Sequence, residues 1–157
     1  MAERKGPTER EREEAYQEFF AEEVGKPLKY VRHDVDAHRD GKLEDLRDLH
    51  GFEAMGRWWL LVELMAGRKD HRYDMRRAKA WERLARDLEY DGEDAVERCR
   101  EFVGWLYDLS LIHRESFDES GYVRSERIER NAHELADDVA RKRLGAWVKN
   151  YQNQNGR

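Results

Sequence analysis

Residues 30–65 set two helices on either side of one glycine corner, and that pairing restricts the folds open to the chain more than any other segment. The stretch opens on an aromatic and basic lead-in, Tyr30-Val31-Arg32-His33-Asp34-Val35-Asp36-Ala37, and continues through Arg39-Asp40-Gly41-Lys42-Leu43. Asp40 carries the short carboxylate that caps a helix by accepting from the N–H groups of its first turn. Leu43, Leu46 and Leu49 follow at three-residue steps, which predicts a first helix with one apolar side. Gly51 stands where a left-handed residue ends such a helix. A second helix is expected at once, and the dense apolar run from Met55 to Met65 marks it as the central, most buried helix of a small domain.

This segment resembles the N-terminal domain of phage and prophage replisome-organiser proteins, a DnaD-like winged-helix family. In that family an opening F-x-H-D-x-x-A-x-x-D-x-K-I leads to L-x-x-x-x-G-x-x-G-x-G-x-Y-W-x-L-x-E-x-L. Here the pattern runs through Tyr30, His33, Asp34, Ala37, Asp40, Lys42 and Leu43, then Gly51, Gly56, Trp58, Trp59, Leu61, Glu63 and Leu64, with Ala54 where the family usually has another glycine. The resemblance covers residues 28–130 and is strongest over 30–65. It implies a mostly α winged helix, a role in phage or mobile-element DNA replication, and assembly of copies through this region.

The remaining chain fits that architecture. Its 157 residues can bury a core without staples, and five Trp, seven Tyr and five Phe oppose disorder despite 41% charged residues. Pro7 and Thr8 predict a helix to about Glu23, an appendage with a thin stripe of Ala15, Phe19 and Val24, ended by Gly25-Lys26-Pro27. Leu28 to Arg32 reads as an extended entry into the domain. A third helix is expected from Arg76 to Glu89 with Ala80, Trp81, Leu84, Ala85 and Leu88 on one face, and Asp91-Gly92 breaks it. A fourth runs from Glu93 to Asp108 with Val96, Cys99, Val103, Leu106 and Tyr107 inward. Residues 111–117 and 122–125, separated by Asp118-Glu119-Ser120-Gly121, read as a β-hairpin, the wing of a winged helix. A long, mostly polar helix from Ser125 to about Lys149 carries Ile128, Leu135, Val139, Leu144 and Trp147, and the tail from Tyr151 is expected to fray. The organisation expected is a charged appendage over 1–27, a winged-helix domain over 28–130, and a C-terminal helix and tail over 131–157.

The net charge of −5 is unevenly spread. Seven Glu against two Arg in residues 9–23 account for all of it, so the rest of the chain is close to neutral. Residues 68–86 hold eight Arg and Lys against Asp70, Asp74 and Glu82, a local +5. Arg68, Lys69, Arg72, Arg76, Arg77, Lys79 and Arg83, with Arg114 and Arg124 of the expected wing, are therefore the candidate DNA contacts, joined at the edge by Arg127 and Arg130. The plain alternative is a solvated face of long basic side chains. The fourth helix is acidic, with Glu93, Asp94, Glu97, Glu101 and Asp108 against Arg98 and Arg100, which opposes its insertion into a groove. DNA contact is thus expected to be weak and salt-sensitive. A second reading is a winged-helix protein that binds a host replication or defence protein without DNA, as an inhibitor of anti-CRISPR type or an adaptor. Copies of the chain are expected to form a homo-oligomer, since the flanking amphipathic helices offer stripes that one domain does not cover.

No enzyme is expected, because the chain holds no phosphate loop, nucleophile elbow or zinc-protease helix, and Glu53 and Glu63 are too isolated to form an acid/base pair. His33, Asp34, Asp36 and His38 put four potential metal ligands in six residues, but backbone turning by the two carboxylates and packing of His33 near Tyr30 explain them as well, so no metal and no cofactor is assigned. Of Trp58 and Trp59, which point about 100° apart on a helix, at least one belongs to the core. Cys99 is the only cysteine, which excludes an intramolecular disulfide and agrees with a reducing cytoplasm. No stretch is apolar enough for a membrane span or a signal peptide, so a soluble protein is expected.

Overall fold

The computed structural model describes residues 6–155. Among them the α-helices are α1 (Glu9–Val24), α2 (Gly41–Ala66), α3 (Ala80–Asp87), α4 (Ala95–Asp108) and α5 (Glu126–Asn155), and the strands are β1 (Tyr73–Asp74) and β2 (Tyr122–Val123). The chain is mostly helical, with one small antiparallel sheet in which Tyr73 faces Val123 and Asp74 faces Tyr122. Two units form: Pro27–Arg130, and the described residues 6–26 together with 131–155. No described helix is long and apolar enough to cross a membrane.

In the Pro27–Arg130 unit the Asp40 carboxylate accepts from the N–H of Lys42 at 3.0 Å and of Leu43 at 3.4 Å, starting α2. The helix breaks at Gly51, whose φ of 86° and ψ of 175° lie in a region open essentially to glycine alone. Residues 41–50 and 52–66 are thus two arms. The second buries Ala54, Trp58, Leu61, Val62, Met65 and Ala66, which makes it the central helix. The first buries Leu43 and Leu46, but Leu49, expected inward, is 67% exposed because the break ends the helical face before its turn closes. Helix α3 starts at Ala80, not Arg76, since Lys79 adopts a left-handed φ of 59° that no helix interior accepts. Helix α4 buries Cys99, Phe102, Val103 and Leu106, and packs against α3. Phe102 was not among the expected core positions.

The expected hairpin does not form. Residues 111–113 are irregular and residues 114–120 make a helical turn, wide at Ser116–Ser120, while Tyr122–Val123 finds its partner in Tyr73–Asp74. Ser120 Oγ donates to the Ser116 carbonyl at 2.7 Å and Ser116 Oγ to that of Tyr122 at 3.2 Å, so side chains satisfy groups a ladder would have used. Phe117 packs edge-on against both Trp81 and Tyr107, at 6.4 and 6.1 Å between centroids. A single bond from the His113 N–H to the Arg124 carbonyl, 3.0 Å, is all that joins the two segments as strands would.

In the second unit, Thr8 and Glu11 form a reciprocal capping box at the start of α1. Tyr16 donates to Asp137, Phe20 meets His133 edge-on at 5.4 Å, and Arg143 joins Glu22 at 2.7 Å and Glu23 at 3.2 Å. The buried positions of α5 here include Ala132, Ala136 and Ala140, spaced by one turn, whereas Val139 is exposed and Leu135 only half-buried. The hydrophobic stripe read from the larger residues was therefore rotated from the one the fold uses. Residues 151–155 continue the helix instead of fraying, and Gly156 and Arg157 lie outside the described residues.

Candidate nucleic-acid interface

The basic segment between α2 and α3 is shaped by backbone turns before any side chain acts. The Gly67 N–H closes α2 on the Glu63 carbonyl, and Asp70 and His71 then take left-handed φ values of 59° and 52°. This tight reversal buries His71 and aims the chain into β1. The Met75 N–H bonds the Gly121 carbonyl at 2.9 Å, just beyond the paired strands. Gly121 has φ 70°, and a Cβ there would come within 2.6 Å of Arg76 Cγ, so both conformation and space require glycine.

Two tyrosines from the sheet organise the arginines. The Arg72 and Arg76 guanidinium carbons lie 3.9 and 4.3 Å from the Tyr122 ring centroid, and that of Arg68 lies 4.4 Å from Tyr73. Each arginine also has a carboxylate: Asp87 for Arg68 at 3.6 Å, Asp70 for Arg72 at 3.9 Å, and Asp74 for Arg76 at 3.0 Å. Asp74 accepts from the Arg76 side chain and its backbone N–H together, and these bonds hold its carboxyl down at about 2. Tyr73, pushed up to about 12 by burial and then by its bond to Asp87, stays a neutral donor.

The remaining predicted contacts divide sharply. The side chains of Lys69, Arg77 and Lys79 are exposed and make no hydrogen bond or ion pair among the described residues, although the charge of Arg77 helps to hold the Asp74 carboxyl down. Arg83 donates to the Ala78 carbonyl at 2.6 Å. Arg114 is not on a wing: it donates to the Tyr107 and Asp108 carbonyls at 2.8 and 2.6 Å, closing the C-terminus of α4 where the helix dipole favours a cation. Arg124 is bound to Glu129, whose other oxygen lies 3.0 Å from His113 Nε2. The structure thus gathers Arg72 and Arg76 around Tyr122 and leaves three side-chain cations without an ion pair on the same segment, while Arg114 and Arg124 serve the fold. Tyr73 and Tyr122 were missed as platforms, although each sits beside arginine or glycine in a short β-prone stretch.

The outward stripe of α4, Glu97, Arg100, Glu101, Gly104 and Asp108, carries three carboxylates against one guanidinium. Of the tryptophan pair, Trp58 is 1% exposed and Trp59 packs with His33 at 4.5 Å, so His33 meets Trp59 and not Tyr30. No group of three or more metal-ligating side chains occurs among the described residues, and Asp36 begins a short helical turn, Ala37–Arg39. Glu53 is paired to Arg57 and lies 3.7 Å from Arg98.

No family model matches the chain, and no curated protein and no solved structure is similar enough to match it.

Proposed function

We propose that the chain is a winged-helix-like module of phage or mobile-element DNA replication that touches phosphates through the segment between α2 and α3. The observation that carries this reading is the set Lys69, Arg77 and Lys79, three exposed cations whose side chains make no hydrogen bond or ion pair among the described residues, Arg77 feeling only the more distant charge of Asp74. They lie on the segment that stacks Arg72 and Arg76 on Tyr122. A phosphate meets these cations without first breaking an ion pair, and backbone contact of this kind needs no helix in a groove. The packed α3 and α4 followed by a strand of a small sheet support the winged-helix comparison, with a helical turn replacing the first wing strand. The replication setting rests on the resemblance over residues 30–65, and self-association belongs to the same proposal. A monomer by light scattering at tens of micromolar counts against that part.

The test is fluorescence anisotropy of a labelled duplex and a labelled single strand across a salt series. Three phosphate contacts on duplex DNA give a log–log salt slope of about −2.7, at ~0.9 per contact. Lys69→Glu/Arg77→Glu/Lys79→Glu abolishes binding if the reading holds. No binding of either probe at low salt refutes it.

The acidic stripe of α4 favours a second reading, in which Glu97, Glu101 and Asp108 meet a basic surface on a host replication or defence protein. In that case DNA binding is absent, and Glu97→Lys/Glu101→Lys abolishes capture of the host protein while the loop reversals leave it intact.

A further inference from the structure

Within the Pro27–Arg130 unit, a groove runs between the entry segment, residues 28–33, and the last turns of α2. The Leu28 N–H bonds the Ala66 carbonyl at 2.8 Å, and Leu28 and Val31 pack against the core. At the other end His33 meets Trp59 at 4.5 Å between ring centroids, and the Arg127 guanidinium carbon lies 4.9 Å from the same ring. The entry segment is thus pinned to α2 at both ends, and the groove between them is already formed. Its volume is about 450 Å³, within the ~300–1,000 Å³ of small-ligand sites, and the buried Val62 and Ala66 give it an apolar base.

Three side chains on this groove are exposed and uncommitted. Tyr30 is 63% exposed and makes no ring contact or hydrogen bond among the described residues. Lys29 on the entry segment and Glu63 on α2 are exposed, and their side chains make no hydrogen bond or ion pair among the described residues. The groove therefore offers a free aromatic face, one carboxylate and one ammonium. Glu63 stands in the last turn of α2, where the helix dipole is negative, so that end takes donors and rejects a second anion. An anion is left to Lys29. A planar ligand with parallel N–H donors on one edge and a phosphate beyond the other meets all three demands. Guanine does so, because its N1–H and 2-amino group match the two oxygens of a carboxylate. Adenine and cytosine set a ring acceptor beside their amino group, and thymine sets its one N–H between two carbonyls. An arginine side chain has a similar donor fork, but it brings a second cation to Lys29.

We propose that this groove binds one unpaired guanine nucleotide, with Tyr30 stacked on the base, Glu63 accepting from N1–H and the 2-amino group, and Lys29 on the phosphate. The nucleotide is either free or exposed within a single strand, since a paired guanine has no free Watson–Crick edge. None of these residues belongs to the loop set Lys69, Arg77 and Lys79, so this site stands or falls separately from the DNA-contact reading.

The test uses the full chain carrying the Lys69→Glu/Arg77→Glu/Lys79→Glu reversals, which removes the loop as a competing phosphate surface. GMP, AMP, CMP, UMP and guanosine are titrated by isothermal calorimetry. GMP is expected to bind about tenfold or more tightly than the other nucleotides, the worth of one charged hydrogen bond, and more tightly than guanosine. Tyr30→Ala weakens GMP about fivefold or more, whereas Tyr30→Phe, which keeps the ring, does not. Glu63→Gln erases the preference for GMP over AMP, and Lys29→Met erases its advantage over guanosine, each with an unchanged circular dichroism spectrum. An oligothymidine carrying one guanine that displaces GMP where its all-thymine twin does not identifies a single strand as the source. Failure of both to displace identifies the free nucleotide. Displacement by both alike, equal binding of GMP and AMP, no saturable binding of GMP, or tighter binding of arginine amide than of GMP overturns the proposal.

Discussion

Replacing Gly51 by alanine tests the corner on which the larger unit is built, because the sign of the effect reports the local backbone. A side chain at φ 86° and ψ 175° costs about 1–3 kcal/mol of conformational strain. A Cβ at this position meets nothing within 4 Å, so no steric clash adds to that cost. Alanine also restricts the unfolded chain, which offsets about 0.4–1 kcal/mol. The expected net loss is therefore about 0–2.6 kcal/mol and centred near 1.3, or about 3–5 °C in Tm at the ~2–4 °C per kcal/mol of a chain this long. Gly56 and Gly104 supply internal controls, since both lie within helices with open space at Cβ. Alanine at either should stabilise by about 0.5–1 kcal/mol. Urea unfolding followed by tryptophan fluorescence measures all three variants, with the buried Trp58 as a reporter close to the corner. If Gly51→Ala is more stable than the parent by as much as the Gly56 and Gly104 controls, residue 51 is helical, α2 is continuous, and the two-arm description is wrong.

Gly121→Ala should lower Tm and detach Arg76 from Tyr122, because φ 70° costs a side chain about 1–2 kcal/mol and the added Cβ would press on Arg76 Cγ; differential scanning calorimetry of Gly121→Ala beside Arg76→Ala shows whether the two losses overlap. Asp74, held at about 2 by Arg76 against an ordinary 3.8, contributes stability that is fully present above pH 3.8 and is lost as pH falls through 2. Acid titration of wild type and Asp74→Asn should therefore diverge most at neutral pH and converge toward pH 2, and parallel curves would remove the Arg76 pairing from the account. Cys99 is fully buried and its thiol is pushed up to about 12 by that burial, so a thiol reagent at pH 8 should label it only on unfolding. Rapid labelling of the native protein would place it at the surface.

What could be read from the sequence was set by short-range chemistry. Asp40 caps whatever helix follows it, Gly51 permits a backbone no other residue accepts, and the apolar spacing of α3 and α4 exceeds any competing pattern. The hairpin failed for a physical reason that no local window contains. Leu111 and Ile112 are both buried although adjacent, which a half-exposed strand does not allow. The segment is then held as a helical turn by Arg114 on the α4 carbonyls and by Phe117 between Trp81 and Tyr107. The strand Tyr122–Val123 was legible, but its partner Tyr73–Asp74 lies far back in the chain and is too short to show a period of two. In α5 the alanines carry the buried stripe, and alanine gives little contrast in a hydrophobic pattern. The basic cluster was legible as charge, whereas the division of its members among carboxylates, carbonyls and solvent depends on long-range packing.

That division decides what the proposed DNA contact can deliver. Arg68, Arg72 and Arg76 already face Asp87, Asp70 and Asp74, so a phosphate approaching any of them exchanges one anion for another. The carboxylates left behind then repel the same phosphate, and the gain per contact falls below that of an unpaired cation. Neutralising Lys69, Arg77 and Lys79 should therefore weaken binding more than neutralising the three paired arginines, even though the two sets carry equal charge. Anisotropy titrations of Arg68→Gln/Arg72→Gln/Arg76→Gln beside Lys69→Gln/Arg77→Gln/Lys79→Gln make the comparison at one net charge. Equal loss in the two triple variants would mean that only total charge matters and that the ion pairs do not direct where the phosphate sits.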